Sequence, residues 1–154
     1  MKRKGGGNTV SYNRKAGFEY FLEEKFEGGL ALTGAEVKSL RAGNVSIAEA
    51  YARVEGGEVW IFGMHINPWD SGSAFKADPL RKRKVLLKSH EIARLVGKTS
   101  EKGYSIVPLR IYFKGRWAKL ELALAKGKKL WDKRASIREK EAQREIDRAF
   151  RQKD

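Results

Sequence analysis

The chain has 154 residues, with 33 Lys and Arg against 19 Asp and Glu, a formal net charge of +14, two histidines and no cysteine. That length fits one domain plus tails, and the missing cysteines exclude a disulfide framework and a thiolate nucleophile and argue against a structural zinc site. The excess charge gathers in Lys2-Arg3-Lys4, in Arg81-Lys82-Arg83-Lys84 and from Lys126-Gly127-Lys128-Lys129 to Lys133-Arg134, a distribution that attracts polyanions and neutralises phosphates, so nucleic acid is the leading partner and a solvated basic surface the plainer alternative.

The N-terminus is basic but runs into Gly5-Gly6-Gly7 rather than an apolar segment, and no apolar run approaches bilayer length, so a cytoplasmic location without membrane contact is expected. Residues 1–12 read as a disordered basic arm. Phe18 to Leu22, followed by Lys25-Phe26, reads as a strand, with a bulge or bend at Gly28-Gly29. Thr33-Gly34-Ala35-Glu36 is a capping box that opens a short helix; Val37 and Leu40 form its buried side, and Lys38 and Arg41 share another face. Gly43 suits the position after that helix.

Ala50–Val54 and Val59–Phe62 flank Glu55-Gly56-Gly57-Glu58 as a hairpin. Ser89 predicts the cap of a helix that runs through Ile92, Leu95 and Val96 to about Gly97. Tyr104–Pro108 and Leu109–Phe113 are extended. Trp117–Ala125 is the strongest strand, with Leu120, Leu122 and Leu124 on one face and Lys119 and Glu121 on the other. Short antiparallel strands with a few helices predict a mainly β fold: a small oligonucleotide-binding-type barrel over 13–125 with flanking helices.

Residues 126–154 form a basic tail. Ser136-Ile137-Arg138-Glu139 reads as a second capping box, and the thin apolar stripe beyond it predicts a segment that is helical when bound to a polyanion. His65 and His90 are read as structural residues, and no metal or cofactor site is expected.

Several segments share their order and spacing with one family: Asn13-Arg14-Lys15-Ala16, Glu19-Tyr20, Gly34 to Gly43, Asp78 to Leu87, Ala125 to Lys129, and Asp132-Lys133-Arg134. Over nearly its whole length the sequence resembles the small protein B family, the SsrA-binding proteins of bacteria. The resemblance implies an adaptor without covalent chemistry. It would bind the tRNA-like part of transfer-messenger RNA and, with elongation factor Tu in the delivery complex, bring it to the empty decoding site of a stalled ribosome. It also implies RNA contacts at Asn13, Arg14, Lys15, Tyr20, Glu27, Lys38, Arg41, Arg81, Arg83, Lys84, Leu86, Lys126, Lys128 and Lys129. Trp131, Asp132, Lys133 and Arg134 would act at the decoding site, and Phe150 would anchor the tail in the messenger channel.

Phe18 and Trp131 stand where family members often carry His; Trp preserves stacking but cannot titrate. Read without the resemblance, Tyr20 packs in the barrel, Glu27 caps a turn, Asn13 serves a turn, Leu86 is a core residue and the lysines are solvated. Nothing in the sequence points to an obligate dimer, so a monomer is expected. Two other functions compete: a general single-strand or structured-RNA binder on the same barrel, and a metal-dependent nuclease built on Glu36-Val37-Lys38. The second lacks an upstream aspartate before Asp70, and the capping role already explains Glu36.

Overall fold

Alternating apolar and polar residues become the walls of a closed sheet. The computed structural model describes residues 8–69 and 78–151. Its elements are β1 (Asn8–Tyr12), α1 (Ala16–Glu19), β2 (Tyr20–Leu30), α2 (Gly34–Arg41), β3 (Val45–Ser46), β4 (Tyr51–Glu55), β5 (Glu58–Phe62), β6 (His65–Ile66), β7 (Arg83–Leu86), α3 (Ser89–Thr99), β8 (Tyr104–Lys114), β9 (Trp117–Gly127) and α4 (Leu130–Arg151). Strands run in the order β8-β4-β5-β7-β2-β9, and β9 pairs back onto β8. Every pairing is antiparallel, so these six strands close a barrel. This is the small antiparallel barrel with flanking helices that the sequence predicts.

Leu120, Leu122 and Leu124 point inward as expected and meet Ile106, Ile111, Val59, Ile61 and Val85 in the core. Ile106 and Ile111 lie five residues apart, yet both face inward. A register shift between Pro108 and Arg110 reverses the alternation between them, as a bulge does. The two extended runs expected on either side of Pro108 are therefore one bulged strand. The hairpin turn is as predicted: Gly56 and Gly57 adopt φ of +58° and +76°, angles that suit glycine in a tight two-residue loop.

Several expectations are corrected. Asn8–Tyr12 is a strand, not part of a disordered arm; β4 pairs with β8 only at Ile106, and β1 pairs with Arg110 to Phe113. The Lys2-Arg3-Lys4 cluster lies outside the described residues. Phe18 and Glu19 belong to the helical turn Ala16–Glu19 rather than opening a strand, because Ala16 packs on Val107, Leu109, Ala123 and Ala125 outside the barrel. The small Ala123 and Ala125 let α1 approach that wall. Gly28-Gly29 makes no bend. An ideal Cβ on Gly28 would stand 2.5 Å from Val85 Cγ1, so the glycine makes room for β7.

Lys88, not Ser89, precedes α3, and its N–H donates to Glu91 Oε1 at 3.1 Å; the helix continues past Gly97 to Thr99. In the tail, α4 begins at Leu130, so Ser136 lies inside it rather than capping it. The Lys129 N–H donates to Asp132 Oδ2 at 3.2 Å and satisfies one exposed donor at the helix start.

Candidate nucleic-acid interface

The capping box at the start of α2 is where local structure meets the basic loop. Thr33 Oγ1 accepts from the Glu36 N–H at 3.2 Å, and Glu36 Oε1 accepts from the Thr33 N–H at 3.0 Å. The same carboxylate also receives Arg81 Nη2 and Nε on its two oxygens, and Arg83 Nε on Oε2 at 2.5 Å. Glu36 is only 5% exposed. Burial pushes its carboxyl up, but Arg81, the Thr33 N–H and Arg83 outweigh burial and hold it below the usual carboxylate range. Glu36 is thus spent on a structural clamp, which leaves the E-x-K nuclease reading without its first ligand. Among the described residues, no group of three or more His, Asp or Glu could hold a metal.

Arg83 was expected to neutralise a phosphate, and this is corrected. It is 1% exposed, and its guanidinium also donates to Met64 O at 2.6 Å and Pro79 O at 3.1 Å. Ser39 Oγ donates to Asn67 O at 2.6 Å, and the Ile66 N–H donates to Pro79 O at 3.0 Å. Together these bonds pin α2 to both described ends of the 67–83 connection. Arg81 and Lys82 stay at the surface, although Arg81 is committed to Glu36 and Lys82 pairs with Glu55 at 3.1 Å. Lys84 faces outward and pairs with Glu58 at 3.4 Å. Leu86, in the same outward alternation, is 53% exposed. The core position that periodicity suggested for it is therefore wrong, while Val85 beside it is buried.

A second surface lies on the outer wall of β2, β9 and β8. Glu27 sits mid-strand opposite Glu121 rather than in a turn. Its Oε2 accepts from the Tyr112 hydroxyl, and Lys114 Nζ lies 3.6 Å from Oε1. The Tyr112 bond, ahead of the charges of Lys114 and Lys119, holds the Glu27 carboxyl below its usual range. Burial first, then Glu27, pushes the Tyr112 hydroxyl up.

The chain matches the model of the family described as SmpB protein over residues 10–152. The chain belongs to the SmpB family. It is 53% identical to the SsrA-binding protein of Bacillus cytotoxicus and 55% identical to that of Bacillus cereus, each over 148 residues and 96% of both chains. A solved structure described as "tmRNA-SmpB: a journey to the center of the bacterial ribosome" aligns with a TM-score of 0.66 at 47% identity, covering 82% of this chain and 93% of that one.

In this SmpB family member the remaining expected residues fall into three groups. Asn13 and Tyr20 come together in a cleft of about 280 Å³ between α1 and β4. Asn13 is first a structural tie: its N–H and Nδ2 donate to Leu109 O at 2.8 Å and Pro108 O at 3.0 Å, holding the β8 bulge. Tyr20 is partly buried against the α1 cluster and lines the cleft.

Arg14, Lys15, Lys38, Arg41, Lys126 and Lys129 are exposed cations. Arg41 lies 4.3 Å over the Phe113 ring and lines a second cleft beside β1. Lys128 departs from expectation. Its ammonium donates to Gly17 O at 3.0 Å and Ser136 Oγ at 2.8 Å, so it ties α4 to α1 instead of facing RNA. The backbone of Trp131 lies in the first turn of α4, but its side chain is outside what the structure describes. Asp132 holds the helix start, Arg134 is exposed, and Phe150 is 69% exposed near the far end of α4.

Sequence reasoning missed Glu36 as the clamp and Tyr112 as the partner of Glu27. A period-two reading of Arg83-Lys84-Val85-Leu86 would have turned Arg83 inward beside Val85. No local signal connects Glu27 with a tyrosine 85 residues away.

Proposed function

We propose that this chain binds transfer-messenger RNA at its tRNA-like part and brings it to the empty decoding site of stalled ribosomes for trans-translation. The observation that carries this reading is membership of the SmpB family across residues 10–152, a span that takes in both the barrel and α4. The protein acts as an adaptor and performs no covalent step. It works in the cytoplasm as a monomer, with elongation factor Tu in the delivery complex.

The division of labour follows from where charge and apolar surface stand. Arg14, Lys15, Lys38, Arg41, Lys84, Lys126 and Lys129 are placed to neutralise phosphates. Tyr20 offers an aromatic ring, Leu86 an exposed apolar contact, and Glu27 an acceptor for a base amino group or a 2′-hydroxyl. Trp131 stacks at the decoding centre, with Asp132, Lys133 and Arg134 beside it, and α4 enters the vacant messenger channel with Phe150 as its apolar anchor.

The deciding experiment is a competition assay at near-physiological salt. Labelled tRNA-like domain of transfer-messenger RNA is challenged with excess elongator tRNA and with unstructured RNA. Selective retention of the label is expected. Equal competition by all three would overturn the assignment in favour of a general RNA-binding barrel.

A further inference from the structure

We infer that Tyr112 is a positioning residue for RNA recognition: its hydroxyl fixes the Glu27 carboxylate so that one oxygen is anchored and the other is presented outward. This rests on the proposed RNA contact of Glu27.

The argument begins with the wall of the barrel. Glu27 stands mid-strand on the outer face, and its long side chain has no fixed rotamer of its own there. Ordering such a side chain at the moment of binding costs conformational entropy, and a contact ordered beforehand avoids that loss. The Tyr112 hydroxyl supplies the order by donating to Oε2. Oε1 faces the exposed ammonium of Lys114 at 3.6 Å, a loose pair that an incoming donor can replace.

Tyr112 is itself fixed. Its ring is 3% exposed, and the Arg110 guanidinium lies 4.0 Å above its centroid. Arg110 is held in turn by Glu121 Oε2 at 3.4 Å and Thr9 Oγ1 at 3.3 Å. The anchoring thus runs from β1 through Arg110 and the Tyr112 ring to the carboxylate, across three strands. The hydroxyl adds nothing to the apolar core, because Ile111 and Phe113 on either side make the inward contacts of this strand.

The chemistry limits what the site accepts. An ionised carboxylate on a basic surface repels phosphate and accepts only from N–H or O–H groups. It therefore selects a base edge or ribose hydroxyl that a tRNA-like fold displays outward.

The test is a double-mutant cycle with Tyr112→Phe and Glu27→Gln, read as affinity for the labelled tRNA-like domain. Tyr112→Phe keeps the ring beneath Arg110 and removes only the hydroxyl. It is expected to weaken binding roughly ten-fold, the scale of one charge-assisted hydrogen bond, with the salt slope unchanged because no phosphate contact is lost. In the Glu27→Gln background the same change is expected to cost less than about two-fold. Equal losses in both backgrounds, or wild-type affinity for Tyr112→Phe, would overturn the inference. Wild-type affinity for Glu27→Gln would instead overturn the underlying RNA contact, and the inference with it.

A second readout needs no RNA. The Glu27 carboxyl, faced by Tyr112 and Lys114 from β8 and by Lys119 and Glu121 from β9, should titrate at higher pH by NMR once the hydroxyl is gone. An unmoved titration would show that Tyr112 does not hold it.

Discussion

Replacing Arg83 with Met separates a structural clamp from a phosphate contact. The guanidinium is buried and donates to Glu36, Met64 O and Pro79 O. Met fills similar volume but leaves the buried Met64 carbonyl without that donor, the part-buried Pro79 carbonyl with only the Ile66 N–H, and Glu36 with one fewer cation. Breaking a buried, hydrogen-bonded pair from one side costs about 3–5 kcal/mol, a large share of the ~5–15 kcal/mol that holds a domain together. For a chain of this length each kcal/mol moves the melting midpoint by about 2–4 °C, so a fall of roughly 6–20 °C is expected. Urea unfolding followed by tryptophan fluorescence reads the stability, and RNA affinity measured against salt reads the contact. Lys84→Met is the comparison. Its pair with Glu58 is exposed and worth at most about 1 kcal/mol, while its loss should lower the salt slope by about 0.7–0.9. A stable Arg83→Met variant with a shallower salt slope would refute the clamp and return Arg83 to the RNA.

Three further outcomes follow from the same geometry. The Glu36 carboxyl is held below its ordinary value of 4.5, so its contribution to stability is complete above that pH and is lost as pH falls through the depressed value. Glu36→Gln should flatten the acid limb of stability against pH, and superimposable acid limbs would contradict this. Gly28→Ala should cost about 1–3 kcal/mol by overpacking, since the new methyl would meet the β-branched Val85 at 2.5 Å; an unchanged thermal midpoint would show that β7 yields freely. Removing residues 130–154 should leave most of the RNA affinity but abolish tagging on stalled ribosomes, and equal loss of both would sink the division between barrel and tail.

What could be read from the sequence was local. The Thr33–Glu36 box and the Gly56-Gly57 turn are complete within four residues each, and both formed as predicted. What could not be read depended on partners far away. Arg83 looked like one member of a charge run because its carboxylate lies 47 residues earlier. Leu86 looked like core because its apolar neighbours Val85 and Leu87 masked the alternation that turns it outward. Phe18 and Glu19 looked extended because their aromatic neighbours favour strands, while the helical turn that holds them is decided by Ala16 settling on Ala123 and Ala125. The Ser136 box has the right residues in the wrong place, since Asp132 already serves the helix start four residues earlier. Of the candidate site, the exposed cations were legible as charge. The inward turn of Arg83 and the commitment of Lys128 to α1 were not.

The sorting of cations has a consequence for binding. The +14 net charge suggests many phosphate contacts, but the densest internal cluster is largely neutralised within the protein. Arg81 and Arg83 share Glu36, Lys82 pairs with Glu55, and Lys84 pairs with Glu58. Arg14, Lys15, Lys38, Arg41, Lys126 and Lys129 make no ion pair among the described residues. With Lys84, whose pair with Glu58 is exposed and weak, seven phosphate contacts correspond to a log–log salt slope of about 6 at most. A slope near that value for the α4-truncated protein would mean that Lys84 and the unpaired cations carry the electrostatic part of RNA binding. A much steeper slope would require Arg81, Lys82 and Arg83 to give up their carboxylates when RNA arrives.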